Sequence, residues 1–130
     1  MLNTSLLRVD KCCTDNYLNQ TIFHNEPPLL SFILPDFRTS DKVYYNVKFN
    51  KFINIQINPN KQCKLYLKSI IYFGESHFTI RIIDKNFFVW YFDSLNGESI
   101  LEKHLSQFSS KEIIECYNRY ASCIIYSKSL

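Results

Sequence analysis

The sequence predicts an α+β domain: an antiparallel sheet of four to six strands followed by one or two C-terminal helices. Three observations predict it. Phe52 to Ile57 alternates strictly, with Ile53, Ile55 and Ile57 against Asn54 and Gln56, the period of a half-buried strand. The neighbouring apolar runs are joined by turn signals of hairpin length, which implies an antiparallel meander rather than crossovers. After Asn96-Gly97 the period changes, and Ile100, Leu101, His104, Leu105 and Phe108 recur at helical spacing.

Residues 1–26 are polar and irregular in pattern and form an N-terminal segment; the folded unit is expected over 27–130. Leu29 to Leu34 reads as a buried strand, introduced by Pro27-Pro28 and stopped by Pro35. The alternating strand Phe52–Ile57 ends at the turn Asn58-Pro59-Asn60. Lys64 to Phe73 is a third strand, rich in Tyr, Leu and Ile. Gly74-Glu75-Ser76 turns the chain into a strand that starts at His77, and a further strand ends at Asp93. Ser109 followed by Glu112 has the spacing of a capping box, so a second short helix is expected from Lys111 to about Tyr120. Ala121 to Tyr126 fits either a continuation of that helix or a closing strand.

Composition narrows the class. The chain has 130 residues, 46% apolar and 16% aromatic, which argues against disorder and suits one domain. Its net charge of +3 is spread among acidic residues rather than clustered, so no nucleic-acid partner is expected. The first residues lack the charged start and apolar core of a secretory signal, and no apolar run is long enough to span a bilayer. The five cysteines are therefore expected as reduced thiols in an intracellular protein, with no membrane partner.

The chemistry-bearing feature is His77 with Asp93. If the hairpin loop is Asp84-Lys85-Asn86, Ile83 pairs with Phe87 and His77 falls opposite Asp93. Directly paired residues share a face with Cβ atoms roughly 4.5–5.5 Å apart, close enough for a carboxylate to orient an imidazole. The same register gathers Phe78, Ile80, Ile82, Phe88, Trp90 and Phe92 on the other face, which is expected to be the buried one. Such a pair, taken alone, is more often a surface ion pair at a hairpin end than the base and orienting group that activate a nucleophile.

A nucleophile is harder to assign. Cys63, Cys116 and Cys123 lie inside apparent strands or helices and are expected to pack as small core residues. Cys12-Cys13 are adjacent, a poor spacing for zinc, and His24 and His104 have no partners at metal spacing. No phosphate-binding glycine loop or nucleophile elbow occurs. No cofactor and no metal are expected.

Taken in order, these segments resemble the C-terminal half of a ubiquitin-specific protease domain. The family's proline-introduced strand is matched by Pro27-Pro28-Leu29-Leu30-Ser31-Phe32-Ile33-Leu34. Its next strand is matched by Val47-Lys48-Phe49-Asn50-Lys51-Phe52-Ile53, and the strand leading to the histidine by Leu65 to Phe73 before His77-Phe78. The closing motif is matched by Trp90-Tyr91-Phe92-Asp93, and the final strand by Ile124-Ile125-Tyr126. The resemblance implies a papain-like cysteine-protease fold, with His77 as general base, Asp93 as its orienting partner and Ser94 as a further polar residue. It implies ubiquitin or a ubiquitin-like protein as partner, and isopeptide hydrolysis as the reaction. The family's Asn-Thr-Cys-Tyr-x-Asn box is missing. Asp15-Asn16-Tyr17-Leu18-Asn19 echoes its tail with Asn16 at the cysteine position, and Ser76 replaces the glycine usual before the histidine. The resemblance therefore implies a subdomain incomplete or inactive by itself, completed by a chain that carries the cysteine box. A catalytically inactive ubiquitin-like or protein-binding module is the alternative. His77 with Asp93-Ser94-Leu95 is also similar to small-modifier proteases of the adenovirus-protease type, whose cysteine setting Cys116 and Cys123 lack.

Overall fold

The computed structural model describes residues 22–36 and 48–128, and these form a single curled half-barrel sheet with little helix. In chain order the elements are β1 (Ile22–Phe23), β2 (Leu29–Ile33), β3 (Phe52–Ile57), β4 (Lys61–Gly74), β5 (His77–Ile83), β6 (Phe88–Phe92) and β7 (Ser99–His104). A 3₁₀ turn (Leu105–Gln107), α1 (Ser110–Ile114), β8 (Glu115–Cys116) and β9 (Arg119–Ser127) complete it. The antiparallel sheet is as expected, but it has nine strands among the described residues rather than four to six. Among the described residues strand makes up 58% and helix 8%, so the sheet dominates and there is less helix than expected.

The long β4 organises the sheet. Tyr66 pairs with Phe52 of β3 and with Ser127 of β9, while Ser69 pairs with Ile82 of β5 and Ile125 of β9. A residue has one partner on each edge, so β3 and β5 occupy successive stretches of one edge and β9 runs along the other. β6 and β7 extend the meander beyond β5, and β2 lies outside β9. The two residues of β1, inside the segment expected to be irregular, pair in parallel with β3. A bulge between Leu67 and Ser69 changes which residues point inward: Cys63, Leu65 and Leu67 before it, Ile70 and Tyr72 after it. The core lies on the concave face, where these meet Ile83, Val89, Ile113, Ile114, Ile124 and Tyr126.

Four further expectations are corrected. First, the run from Ile100 to Phe108 is not a helix. It forms β7, because β6 offers an unpaired edge, and ends in the 3₁₀ turn. A bulge opposite Phe88–Trp90 sends both Glu102 and Lys103 inward, so a broken alternation imitates helical spacing. Second, the last helix is only five residues long. Its capping box is as expected, with Ser109 Oγ accepting from the Glu112 N–H and the Glu112 carboxylate accepting from the Ser109 N–H. It ends early because β8 and the Tyr117-Asn118 turn lead into β9, which resolves Ala121 to Tyr126 as a closing strand.

Third, the β5–β6 register is shifted by two. Ile83 pairs with Val89, not Phe87. The Asp84 side chain accepts from the N–H groups of Asn86 and Phe88 and from Trp90 Nε1 at 2.8–3.0 Å, which stabilises a longer loop. Fourth, burial is reversed. Phe78 is 59% exposed, Ile82 and Phe88 are exposed, and Ile80, Trp90 and Phe92 are half-buried. The face with Thr79, Arg81, Ile83, Val89, Tyr91 and Asp93 is the buried one. Its central charge, Arg81, tolerates burial because it is paired. Arg81 donates through Nε and Nη2 to the Glu102 carboxylate at 3.0–3.1 Å, and through Nη1 to Tyr72 Oη and the Glu112 carbonyl. Tyr72 Oη in turn donates to the Ile113 carbonyl at 2.6 Å. Arg81 and Tyr72 thus supply donors to carbonyls at the end of α1, which a helix leaves unsatisfied.

Replacing Arg81 with Met would leave the Glu102 carboxylate unpaired in a buried setting and the Glu112 carbonyl without this donor. The expected loss is about 3–5 kcal/mol in urea unfolding; a loss under about 1 kcal/mol, the scale of an exposed pair, would contradict this account of the core.

Candidate functional site

His77 is the first residue of β5, directly after the turn Glu75-Ser76. The turn has two residues, since Gly74 pairs with His77, and both have positive φ, 53° and 57°, the geometry of a type I′ hairpin. Asp93 follows the last residue of β6. The ladder between β5 and β6 runs from Ile80/Phe92 to Ile83/Val89, so His77 and Asp93 are not a paired rung. They meet all the same: His77 Nε2 lies 2.7 Å from Asp93 Oδ1. A shift by two leaves every side chain on its original face, which is why the expected contact survives an altered register.

Asp93 is held by more than the histidine. Its Oδ1 also accepts from the Leu95 N–H at 3.0 Å, and its carbonyl accepts from the N–H groups of Asn96 and Gly97. The aspartate therefore opens an Asx turn that fixes its rotamer. The residue is 9% exposed, while the His77 side chain is 22% exposed and open to an incoming group. The hydrogen bond with His77 and that from the Leu95 N–H hold the Asp93 carboxyl below its ordinary value, and Arg119 adds to the effect. With Nε2 engaged by the carboxylate, Nδ1 is the other nitrogen of the imidazole.

The rim was not anticipated from sequence. Arg119 Nε donates to the Gly74 carbonyl at 3.2 Å, and the rings of Tyr91 and Tyr117 lie 4.8 Å apart. Tyr117 and Arg119 come from the β8–β9 hairpin, distant in sequence from the histidine and aspartate, and the pairing of β9 with β4 brings them here. Ser94 is exposed and, with Phe78, Ile80 and Phe92, lines a hollow on the opposite, convex face. His104 caps the 3₁₀ turn, its Nδ1 accepting from the Ser106 N–H.

No described cysteine has the character of a nucleophile. Cys63 and Cys116 are buried and Cys123 is half-buried. Burial raises all three thiols, Cys116 to about 11, whereas a reactive thiol needs a lowered value. Cys12, Cys13 and Asn16 lie outside the described residues. Among the described residues no group of three or more His, Cys, Asp or Glu is gathered that could hold a metal ion, and no helix is long and apolar enough to cross a membrane.

Because the Asp93 carboxyl is depressed on folding, its pair with His77 contributes stability above the ordinary carboxyl value of 3.8, and this is lost as pH falls through the folded value. His77→Gln should raise the Asp93 value in carboxyl-detected NMR and flatten the acid limb of the stability curve relative to wild type. An unmoved Asp93 would mean that the contact does not hold in solution. Glu112, bonded to Lys103 and Ser109, should titrate near 2 in the same experiment, and Lys103→Met should raise it towards 4.5. No family model, curated protein or solved structure matches this chain.

Proposed function

We propose that the chain is the histidine- and aspartate-bearing part of a ubiquitin-specific-protease-like cysteine peptidase, acting on ubiquitin or a ubiquitin-like protein. One observation carries the reading: the 2.7 Å contact of His77 Nε2 with Asp93 Oδ1, with the aspartate fixed by its own turn. The ordered strand motifs from Pro27 to Asp93 support it. His77 would take a proton from a cysteine thiol through Nδ1 and later return it to the leaving amine. Asp93 would hold the tautomer and stabilise the imidazolium. The thiol would come from a cysteine-box segment, which residues 1–130 lack.

A second reading, a binding module without chemistry, is favoured by the three described cysteines, all unsuited to attack.

Turnover of a fluorogenic ubiquitin C-terminal amide separates the two. Residues 1–130 alone should show none at an enzymatic rate. When the cysteine-box segment is supplied, by an upstream extension or as a second chain, turnover should appear. By the scale of a serine protease, His77→Ala should then lower it by roughly 10⁶ and Asp93→Asn by roughly 10⁴. Turnover unaffected by His77→Ala would overturn the peptidase reading. Calorimetric binding of ubiquitin that is equal with and without His77, and never accompanied by turnover, would assign the binding module.

A further inference from the structure

Three strands meet in one row at the end of the sheet that carries the histidine. Gly74 pairs with His77 across the β4–β5 hairpin. On the other edge of β4 the ladder with β9 runs through Tyr72/Ala121 to Phe73/Tyr120, so Arg119 stands at the next position, level with Gly74. His77, Gly74 and Arg119 therefore follow one another across β5, β4 and β9. Side chains two apart on a strand share a face, and Tyr72 and Ala121 are both buried in the core. Gly74 and Arg119 thus lie on the concave face with His77.

Two backbone carbonyls hold the guanidinium in this row. Arg119 Nε donates to the Gly74 carbonyl at 3.2 Å, and Nη1 makes a longer bond of 3.5 Å to the Tyr117 carbonyl. The first acceptor flanks the Glu75-Ser76 turn that leads into His77; the second belongs to the Tyr117-Asn118 turn. A planar fork can serve two acceptors at once, which a lysine ammonium does less well. The charged and titratable groups that act on Asp93 are His77 from β5, Tyr91 from β6 and Arg119 from β9. Of these three, Arg119 alone is a cation at every working pH. The bond from His77 lowers the Asp93 carboxyl most, the Leu95 N–H follows, and the charge of Arg119 adds to both.

We infer that Arg119 is a positioning residue of the His77–Asp93 pair: it ties the turn that carries His77 to the β8–β9 hairpin and keeps a fixed cation on the aspartate's side of the sheet. The inference rests on the reading of this pair as a general base and its orienting group. In that role Arg119 touches neither thiol nor substrate. It acts through the other two, since a base works only when it is within hydrogen-bond reach of its proton and its orienting carboxylate only while it is ionised.

Carboxyl-detected NMR on the full chain tests it, at low ionic strength where screening is weak. Arg119→Met should raise the Asp93 value towards 3.8. Arg119→Lys, which keeps the charge and loses the fork, should leave it below that of the Met variant. Lys103→Met, which removes a different cation from the concave side, should not move it. An Asp93 carboxyl unmoved by Arg119→Met would overturn the inference. So would an equal rise in the Met and Lys variants, which would make Arg119 a brace between turns and nothing more. With the cysteine-box segment supplied, Arg119→Met should lower kcat about a hundredfold, the scale of a 1 Å misplacement, with KM unchanged, and Arg119→Lys should lower it less. Turnover indifferent to Arg119→Met would also overturn the inference. The expected Asp93 shifts without any turnover from the supplemented wild type would uphold the placement of Arg119 and remove the peptidase reading, so the two fail separately.

Discussion

The buried guanidinium of Arg81 is the constraint on which the arrangement depends. It sits in the middle of the concave face, 6% exposed, and every donor it directs inward is received. Taking a cation out of water costs several kcal/mol unless it is paired and hydrogen-bonded. Here Glu102 pairs with it, while Tyr72 and the end of α1 accept from it. The ring of Phe108 lies 4.7 Å from its centre. One side chain therefore joins β4, β5, β7 and α1, and a five-residue helix too short to persist alone is held against the sheet. The β7 bulge belongs to the same device, because without it Glu102 and Lys103 would face opposite sides.

The candidate site follows from this choice of inner face. Arg81 and Thr79 share parity with His77, and Val89 and Tyr91 share it with Asp93. Once Arg81 is inside, the histidine and aspartate are turned to the concave rim. The site is anchored at one end by the hairpin turn and at the other by the Asx turn after Asp93. The imidazole is oriented from both strands without being closed off from solvent.

The strand Phe52–Ile57, the turn at Asn58–Asn60 and the Ser109/Glu112 cap were legible because each rests on local pattern: strict alternation, turn chemistry, capping spacing. The His77–Asp93 contact was legible for a different reason, namely that parity is insensitive to a shift of two. The length of the hairpin loop was not legible because Asp84 accepts from three N–H groups within six residues, an arrangement that composition does not announce. The inner face was not legible because apolar content alone does not mark the buried side. Phe78, Ile82 and Phe88 lost to a face whose buried guanidinium is paired, and no window of sequence shows that Arg81 will find Glu102 twenty-one residues on. β7 was not legible because a bulged strand and an amphipathic helix share the same short spacing.

Gly74 has a bearing on how sequences related to this one should be compared. A Cβ built on it would lie 2.9 Å from the carbonyl oxygen of Asn118, within the second two-residue turn, Tyr117-Asn118, which also has positive φ at both positions. Two tight hairpins thus abut at one point, with a glycine as the only residue small enough between them. Backbone geometry admits glycine alone at 74, whereas the left-handed φ at 75, 76, 117 and 118 is met here by Glu, Ser, Tyr and Asn. An invariant glycine three positions before the histidine would therefore be a record of packing between turns. It would carry no information about catalysis, and a family signature drawn around His77 should give it no weight as an active-site mark.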